Sequence, residues 1–259
     1  MDYLVWGGDP NIFSIGGVTV RWYGLMFAFS FWIGMQVTEQ IFKKEGKKVT
    51  DVEYLFIYVM VGTVIGARLG HCLFYDPSYY LSNPLKIFAV WEGGLASHGG
   101  AIGLITGVYL FCIKYNYNFI WLIDRMVLPS ILAGAIIRIG NFFNSEIVGT
   151  PTEQPWGVIF LKIDMLPRHP TQLYESFSYF ILFGITLWIY TKYFNKLKTG
   201  FLFGFYLISI FSVRFMLEFV KVKQANYDNI LGMTTGQFLS IPFIALGIYM
   251  MFFYKSKDV

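Results

Sequence analysis

Charge is scarce in this chain: Asp, Glu, Lys and Arg supply 14% of 259 residues, while 56% are hydrophobic and 20% aromatic. That shortage excludes an ordinary soluble domain, in which about a quarter of the residues are charged. Cysteine is scarcer still. Cys72 and Cys112 both lie in apolar stretches with no metal-ligand spacing between them, which excludes a disulfide framework and a structural zinc. There is no basic face of the kind that grips nucleic acid, because the net charge of +4 comes from residues in short loops between apolar runs. The early residues offer Asp2 and no basic n-region, and Lys43, Lys44, Lys47 and Lys48 come after the first apolar run. That run is therefore expected to stay in place rather than be removed as a signal peptide.

What the chain does contain is apolar stretches of roughly 17 to 25 residues, the length that crosses a hydrocarbon core. They run near Trp22 to Val37, Tyr54 to Phe74, Leu95 to Ile113, Phe119 to Ile139, Leu173 to Tyr190, Phe201 to Val220 and Phe238 to Phe253. The expected fold is an all-α polytopic membrane protein with about seven transmembrane helices, forming a single integral-membrane domain over residues 1–259. Orientation follows from the lysines. Starting outside and alternating, the inner loops hold the cluster at 43–48, Lys114, the group Lys192, Lys196 and Lys198, and a tail with Lys255 and Lys257. The outer loops mix Lys86, Lys162, Arg168, Lys221 and Lys223 with Asp76, Glu92, Glu146, Glu153, Asp164 and Asp228. The positive-inside rule then places the N-terminus outside and the C-terminus in the cytoplasm.

Against that background an arginine inside an apolar run stands out. Arg138 lies in Gly134-Ala-Ile-Ile-Arg-Ile-Gly-Asn-Phe-Phe-Asn-Ser-Glu146, where a charge costs ~2.5 to 3.5 kcal/mol even on the lenient insertion scale. Arg68 and Arg214 occupy comparable places, and phosphate is the ligand such a cluster suits best. On the expected topology, Tyr23, Arg68, His98, Arg138, Asn141, Glu175, Arg214 and Glu218 all share the outer half of the membrane, which points to one polar cavity. Spacing adds detail. Gly62, Gly66 and Gly70 form a small-residue stripe for close helix approach, and Arg68 points away from it, toward the cavity. Glu218, four residues after Arg214, is expected to hold that guanidinium. Arg138 and Asn141, one turn apart, offer a fork and an amide to one ligand. The glycines in Glu92-Gly-Gly-Leu-Ala-Ser-His98-Gly-Gly100 suggest a backbone concavity for an anion.

These segments together resemble a known family. Ile137-Arg-Ile-Gly-Asn-Phe-Phe-Asn-Ser-Glu146 is similar to the signature of the bacterial prolipoprotein diacylglyceryl transferases. So, in family order, are Val20-Arg-Trp-Tyr-Gly24, Gly66-Ala-Arg-Leu-Gly70, Gly93 to Gly100, His169-Pro-Thr-Gln-Leu-Tyr-Glu175, Arg214-Phe-Met-Leu-Glu-Phe219 and Gly236-Gln237. The resemblance implies an enzyme of the bacterial inner membrane, acting at its outer leaflet. Such an enzyme transfers the sn-1,2-diacylglyceryl group from phosphatidylglycerol to the lipobox cysteine of a prolipoprotein signal peptide, releasing glycerol 1-phosphate. It implies Arg138 as the lipid-binding arginine with Asn141 and Glu146 beside it, Arg214 as a second essential arginine with Glu218 as partner, and important roles for Tyr23 and His98. Three departures stand out: Ile137 where the signature usually has glycine, Ile210 where some members have tyrosine, and Lys221-Val-Lys-Gln-Ala-Asn226 in place of the commoner Arg-x-Pro-Asp-Ala-Gln.

The residues suit that chemistry. A thiolate displacing a phosphate ester from saturated carbon needs its thiol deprotonated and the leaving charge offset, tasks for a base and for Arg138 and Arg214. His98, a candidate catalytic residue with those two arginines, has two roles open: general base or hydrogen-bonding group. No cofactor or metal is called for. Tyr23, Arg68, Asn141, Glu146 and Glu218 complete the expected lipid-binding set. Plainer readings fit other features: His71 and His169 as structural or interfacial groups, Asp124 and Arg125 as an inner interfacial anchor, Pro129 as a kink, Cys112 as a small apolar residue. A small secondary transporter or channel for an anionic solute is the alternative from another class, although no paired halves of the inverted-repeat kind are visible. A non-catalytic assembly factor would explain the spans but not the arginines.

Overall fold

The computed structural model describes residues 3–15, 18–90, 93–222 and 233–255; Asp2, Trp91, Glu92, Lys223, Asn226, Asp228 and Lys257 lie outside the described residues. Each apolar stretch forms a helix. α1 is Trp22–Lys44, α2 Thr50–Phe74, α4 Ser97–Tyr115, α5 Phe119–Phe143, α6 Thr171–Tyr193, α7 Phe201–Leu217 and α8 Thr235–Ile248, with a short α3 at Pro77–Ser82. A 3-10 turn, Glu218–Val220, extends α7, and a π-helical turn, Tyr249–Phe253, extends α8. Five of these, Thr50–Phe74, Phe119–Phe143, Thr171–Tyr193, Phe201–Val220 and Thr235–Phe253, are long and apolar enough to cross a membrane. α1 and α4 fill the other two expected stretches without belonging to those five. α5 runs through Pro129 as one assigned helix.

The fold is not purely helical. Strand β1 (Leu4–Trp6) pairs in parallel with β4 (Val158–Phe160), which pairs antiparallel with β5 (Pro167–Arg168), and β2 (Asn11–Ile15) and β3 (Val18–Arg21) form a hairpin. These segments are far too short to span a bilayer, and their Val, Ile, Phe and Trp residues favour a pleated backbone whose polar groups still need partners.

Contacts divide the chain into two compact units, residues 1–37 with 124–259, and residues 38–123. In the second unit α2 and α4 run antiparallel with their glycines in register. A Cβ on Gly66 would lie 2.3 Å from the Gly99 carbonyl oxygen, and one on Gly62 would lie 2.4 Å from that of Gly103. The expected small-residue stripe thus meets a second stripe, and backbone touches backbone.

In the first unit, Val127, Ile131 and Ala135 of α5 pack on Tyr179 of α6, with Phe203, Tyr206, Ile210 and Val213 of α7 closing the cluster. Asp124, fully buried, accepts a hydrogen bond from the Phe203 amide at 2.8 Å and pairs with Arg125 at 2.6 Å. It serves the start of α7, where amides lack intrahelical partners, instead of acting as the expected interfacial anchor. At the end of α5, Trp6, Phe142, Val148, Val158, Phe160 and Leu173 form a smaller apolar cluster that ties the strands to the helices.

Candidate active site

One turn before its final turn, α5 presents Arg138 in the first unit, and the start of α6 supplies what it needs. Glu175, only 1% exposed, forms an ion pair with Arg138 Nε through Oε2. A carboxylate so deeply buried is tolerable only when paired. Arg138 Nη1 donates to Asn141 Oδ1 at 3.1 Å, Asn141 Nδ2 donates to Glu146 Oε2 at 3.0 Å, and Asn144 Nδ2 donates to Glu146 Oε1 at 3.1 Å. Arg138, Asn141 and Glu146 are thus one chain of hydrogen bonds.

The turn that carries Glu146 is strained. Ser145 and Ile147 on either side have φ of 57° and 56°, and a β-branched residue in the left-handed region is a genuine outlier. Such strain costs on the order of 1–3 kcal/mol per residue and clusters at working sites. The turn is held by Thr171 Oγ1 donating to the Ile147 carbonyl at 2.7 Å and by Gln172 Nε2 donating to the Glu146 carbonyl. Further along, Arg168 binds Asp164 and donates to the Gly149 carbonyl at 3.1 Å; this pairing holds the Asp164 carboxyl below its ordinary range. His169 Nδ1 lies 3.1 Å from the Tyr174 hydroxyl, and burial holds the His169 imidazole below its ordinary pKa.

Tyr23, at the start of α1, packs where Gly140 leaves room: a Cβ on Gly140 would lie 3.2 Å from its ring. Its hydroxyl is within electrostatic reach of both Glu146 and Arg138. Tyr179 likewise senses Arg138, Glu175 and Arg214, so the first unit gathers Tyr23, Arg138, Asn141, Glu146 and Arg214 around one region.

The expected pair between Arg214 and Glu218 is absent among the described residues. Glu218 Oε2 instead lies 3.7 Å from Lys221 Nζ, and its carboxylate sits over the first turn of α8, where a Cβ on Gly236 would come within 2.5 Å of it. A helix N-terminus stabilises a carboxylate, so Glu218 has less need of the arginine. Arg214 is left half-buried, with no hydrogen bond or ion pair among the described residues.

Arg68 and His98 belong to the second unit. Arg68, 2% exposed, donates from Nε to the Ile87 carbonyl at 2.9 Å, from Nη1 to those of Gly93 and Gly94, and from Nη2 to that of Lys86, and it lies over the Tyr80 ring. All three nitrogens are engaged by loop carbonyls, so the guanidinium that was expected to face a cavity fastens this loop. Gly94, at φ of 71°, leaves its Cβ space to Arg68 and His71. The anticipated anion concavity is not formed by the Gly93 and Ala96 amides, which bond to the Val90 and Ala67 carbonyls. His98 is exposed near the start of α4. Among the described residues no three of His, Cys, Asp and Glu gather as a metal would require.

Comparison with known proteins bears on what this arrangement belongs to. The family model for prolipoprotein diacylglyceryl transferase matches residues 10–253. The chain belongs to the prolipoprotein diacylglyceryl transferase family. It is 48% identical to a phosphatidylglycerol–prolipoprotein diacylglyceryl transferase of Chloroherpeton thalassium, with 96% of this chain and 94% of the relative covered. It is 46% identical to a protein of that name from Tolumonas auensis, with 96% of each covered, and 41% identical to one from Bacteroides fragilis, with 97% and 95% covered. These relatives carry an enzyme's name, which gives the transporter reading no support.

For this member of the transferase family, two residues escaped the sequence reading. Glu175 was grouped with the polar residues of the expected cavity but not recognised as the partner of Arg138, and Lys221 was read only as an outer-loop lysine and as part of a departure from the family pattern. Both lie on elements distant in sequence from Arg138, and no helical spacing connects them. The one available signal was a buried carboxylate early in α6, which obliges a cation nearby.

Proposed function

We propose that this chain transfers the sn-1,2-diacylglyceryl group of phosphatidylglycerol to the lipobox cysteine of a prolipoprotein signal peptide. The reading is carried by Arg138, a guanidinium at the end of a bilayer-length helix, oriented through Nε by a buried carboxylate and through Nη1 by Asn141. Arg214, in the same unit and without a carboxylate partner among the described residues, supplies a second cation. In the reaction a sulfur–carbon bond forms at the glyceryl carbon as the carbon–oxygen bond to phosphate breaks. The electron pair leaves on glycerol 1-phosphate, and the thiol proton passes to a base. Arg138 and Arg214 offset the phosphate charge as it grows, while Asn141, Glu146 and Tyr23 position the headgroup. His98 receives the proton or hydrogen-bonds the reacting groups. Arg68 is proposed to act on the lipid through the loop it fastens.

The same proposal places the enzyme in the bacterial cytoplasmic membrane as one catalytic domain of seven spans, N-terminus outside and C-terminus inside, with the site toward the outer leaflet. The asymmetry of the lysines supports it. In intact spheroplasts a cysteine introduced at Thr150 is expected to react with a membrane-impermeant thiol reagent, and one at Gly46 only after lysis. The opposite pattern inverts the topology.

Donor selectivity tests the functional reading. Phosphatidylglycerol is expected to serve as donor and phosphatidylethanolamine poorly, because the latter carries an ammonium into a cationic site. Equal rates from the two lipids in matched detergent contradict it.

A further inference from the structure

We infer that Lys221 is a positioning residue that keeps Arg138 open to an anionic headgroup by taking one oxygen of Glu175. The inference rests on the functional reading above. Lys221 follows α7 in a segment held against residues 148–150: Lys221 and Gly149 form an antiparallel bridge, Thr150 N donates to the Val220 carbonyl at 2.9 Å, and Val222 N donates to that of Val148 at 3.4 Å. That fixed backbone sends the side chain inward, where it is 6% exposed, and Nζ donates to Glu175 Oε1. Glu175 thus divides its oxygens, Oε1 to Lys221 and Oε2 to Arg138 Nε.

The division matters for Arg138. A carboxylate facing one arginine alone takes two of its N–H groups in a parallel fork, the strongest geometry available to the pair. With Oε1 committed to Lys221, Glu175 holds Arg138 by Nε only. Nη1 then reaches Asn141 at 3.1 Å, and Nη2 bonds nothing among the described residues. Charge points the same way. Arg138 and Lys221 against Glu175 leave one positive charge, whereas Arg138 against Glu175 alone leaves none. Glu218, 3.7 Å from Nζ, is the only other carboxylate that pairs with Lys221 among the described residues, and it lies against the start of α8. Lysine is able to play this part because a single point contact on Oε1 suffices; no bidentate geometry is required of it.

Steady-state transfer to a lipobox peptide, with phosphatidylglycerol varied in mixed micelles, tests the inference. Lys221→Met is expected to raise KM for the lipid by roughly 10- to 100-fold, the worth of a charge-assisted hydrogen bond, with a smaller change in kcat. Adding Glu175→Gln to Lys221→Met is expected to restore most of the KM, since the amide oxygen still accepts from Nε without neutralising the guanidinium. Lys221→Arg, which keeps a cation on Oε1, is expected to keep KM close to that of the parent. A Lys221→Met protein with the parental KM, a double variant worse than Lys221→Met, or a Lys221→Arg protein as impaired as Lys221→Met each overturns the positioning role. A parent protein that makes no diacylglyceryl peptide overturns the functional reading itself, so the two failures are told apart.

Discussion

Arg138→Lys is expected to lower kcat/KM for phosphatidylglycerol by about 10²- to 10³-fold, the range seen when one preorganised donor to a developing negative charge is removed. The net charge is unchanged, so the loss reports geometry. In the structure the guanidinium is engaged twice, through Nε by Glu175 and through Nη1 by Asn141, and Nη2 bonds nothing among the described residues. An ammonium is a compact point charge on a flexible stem. Drawn to buried Glu175, it has no rigid fork left to offer a phosphate. Transfer kinetics on the purified variant check this, with thermal melting to confirm folding. A folded Arg138→Lys enzyme with near-parental kcat/KM removes the arginine from the phosphate site.

His98→Gln separates the two roles left open for that residue. If the imidazole is the base, kcat is expected to fall by roughly 10² to 10⁴, the usual contribution of general base catalysis. A base must be neutral to accept the thiol proton, so the parent enzyme loses activity toward acid and the variant, having nothing there to protonate, loses the acid limb of its pH–rate profile. Glutamine keeps a hydrogen-bonding side chain at this exposed position near the start of α4, so folding is not the variable tested. A variant with most of its activity and an unchanged acid limb leaves the arginines as the principal catalytic groups.

The helices were legible because apolar length is a property of contiguous sequence. All seven stretches emerged as helices, with some ends as expected and others shifted by a few residues, as with Thr171–Tyr193 against Leu173 to Tyr190. The glycine stripe on α2 was legible for a similar reason, although of its partners on α4 Gly99 was read as part of an anion concavity and Gly103 was not singled out. The strands were missed because β1 pairs with β4 across more than 150 positions, as Leu4 with Val158, and three-residue strands leave no periodicity to read. Side-chain partners were the least legible. The spacing of Arg214 and Glu218 satisfied a local rule, but the N-terminus of α8 drew Glu218 away. Arg68 read as a ligand-binding cation until the carbonyls of residues 86–94 accounted for all three of its nitrogens. The strained Ser145 and Ile147 gave no sequence signal, since neither residue type favours the conformation it adopts.

The central claim is a chemical one, and mass spectrometry of the peptide product tests it most directly. Purified protein incubated with phosphatidylglycerol and a lipobox peptide is expected to yield a peptide heavier by one diacylglyceryl group, attached as a thioether to the cysteine and resistant to hydroxylamine. Glycerol phosphate should appear in equal amount, and a peptide with serine in place of the cysteine should remain unmodified. An unaltered cysteine peptide after incubation with the folded enzyme and its lipid, or an adduct that hydroxylamine removes as a thioester, would contradict the account.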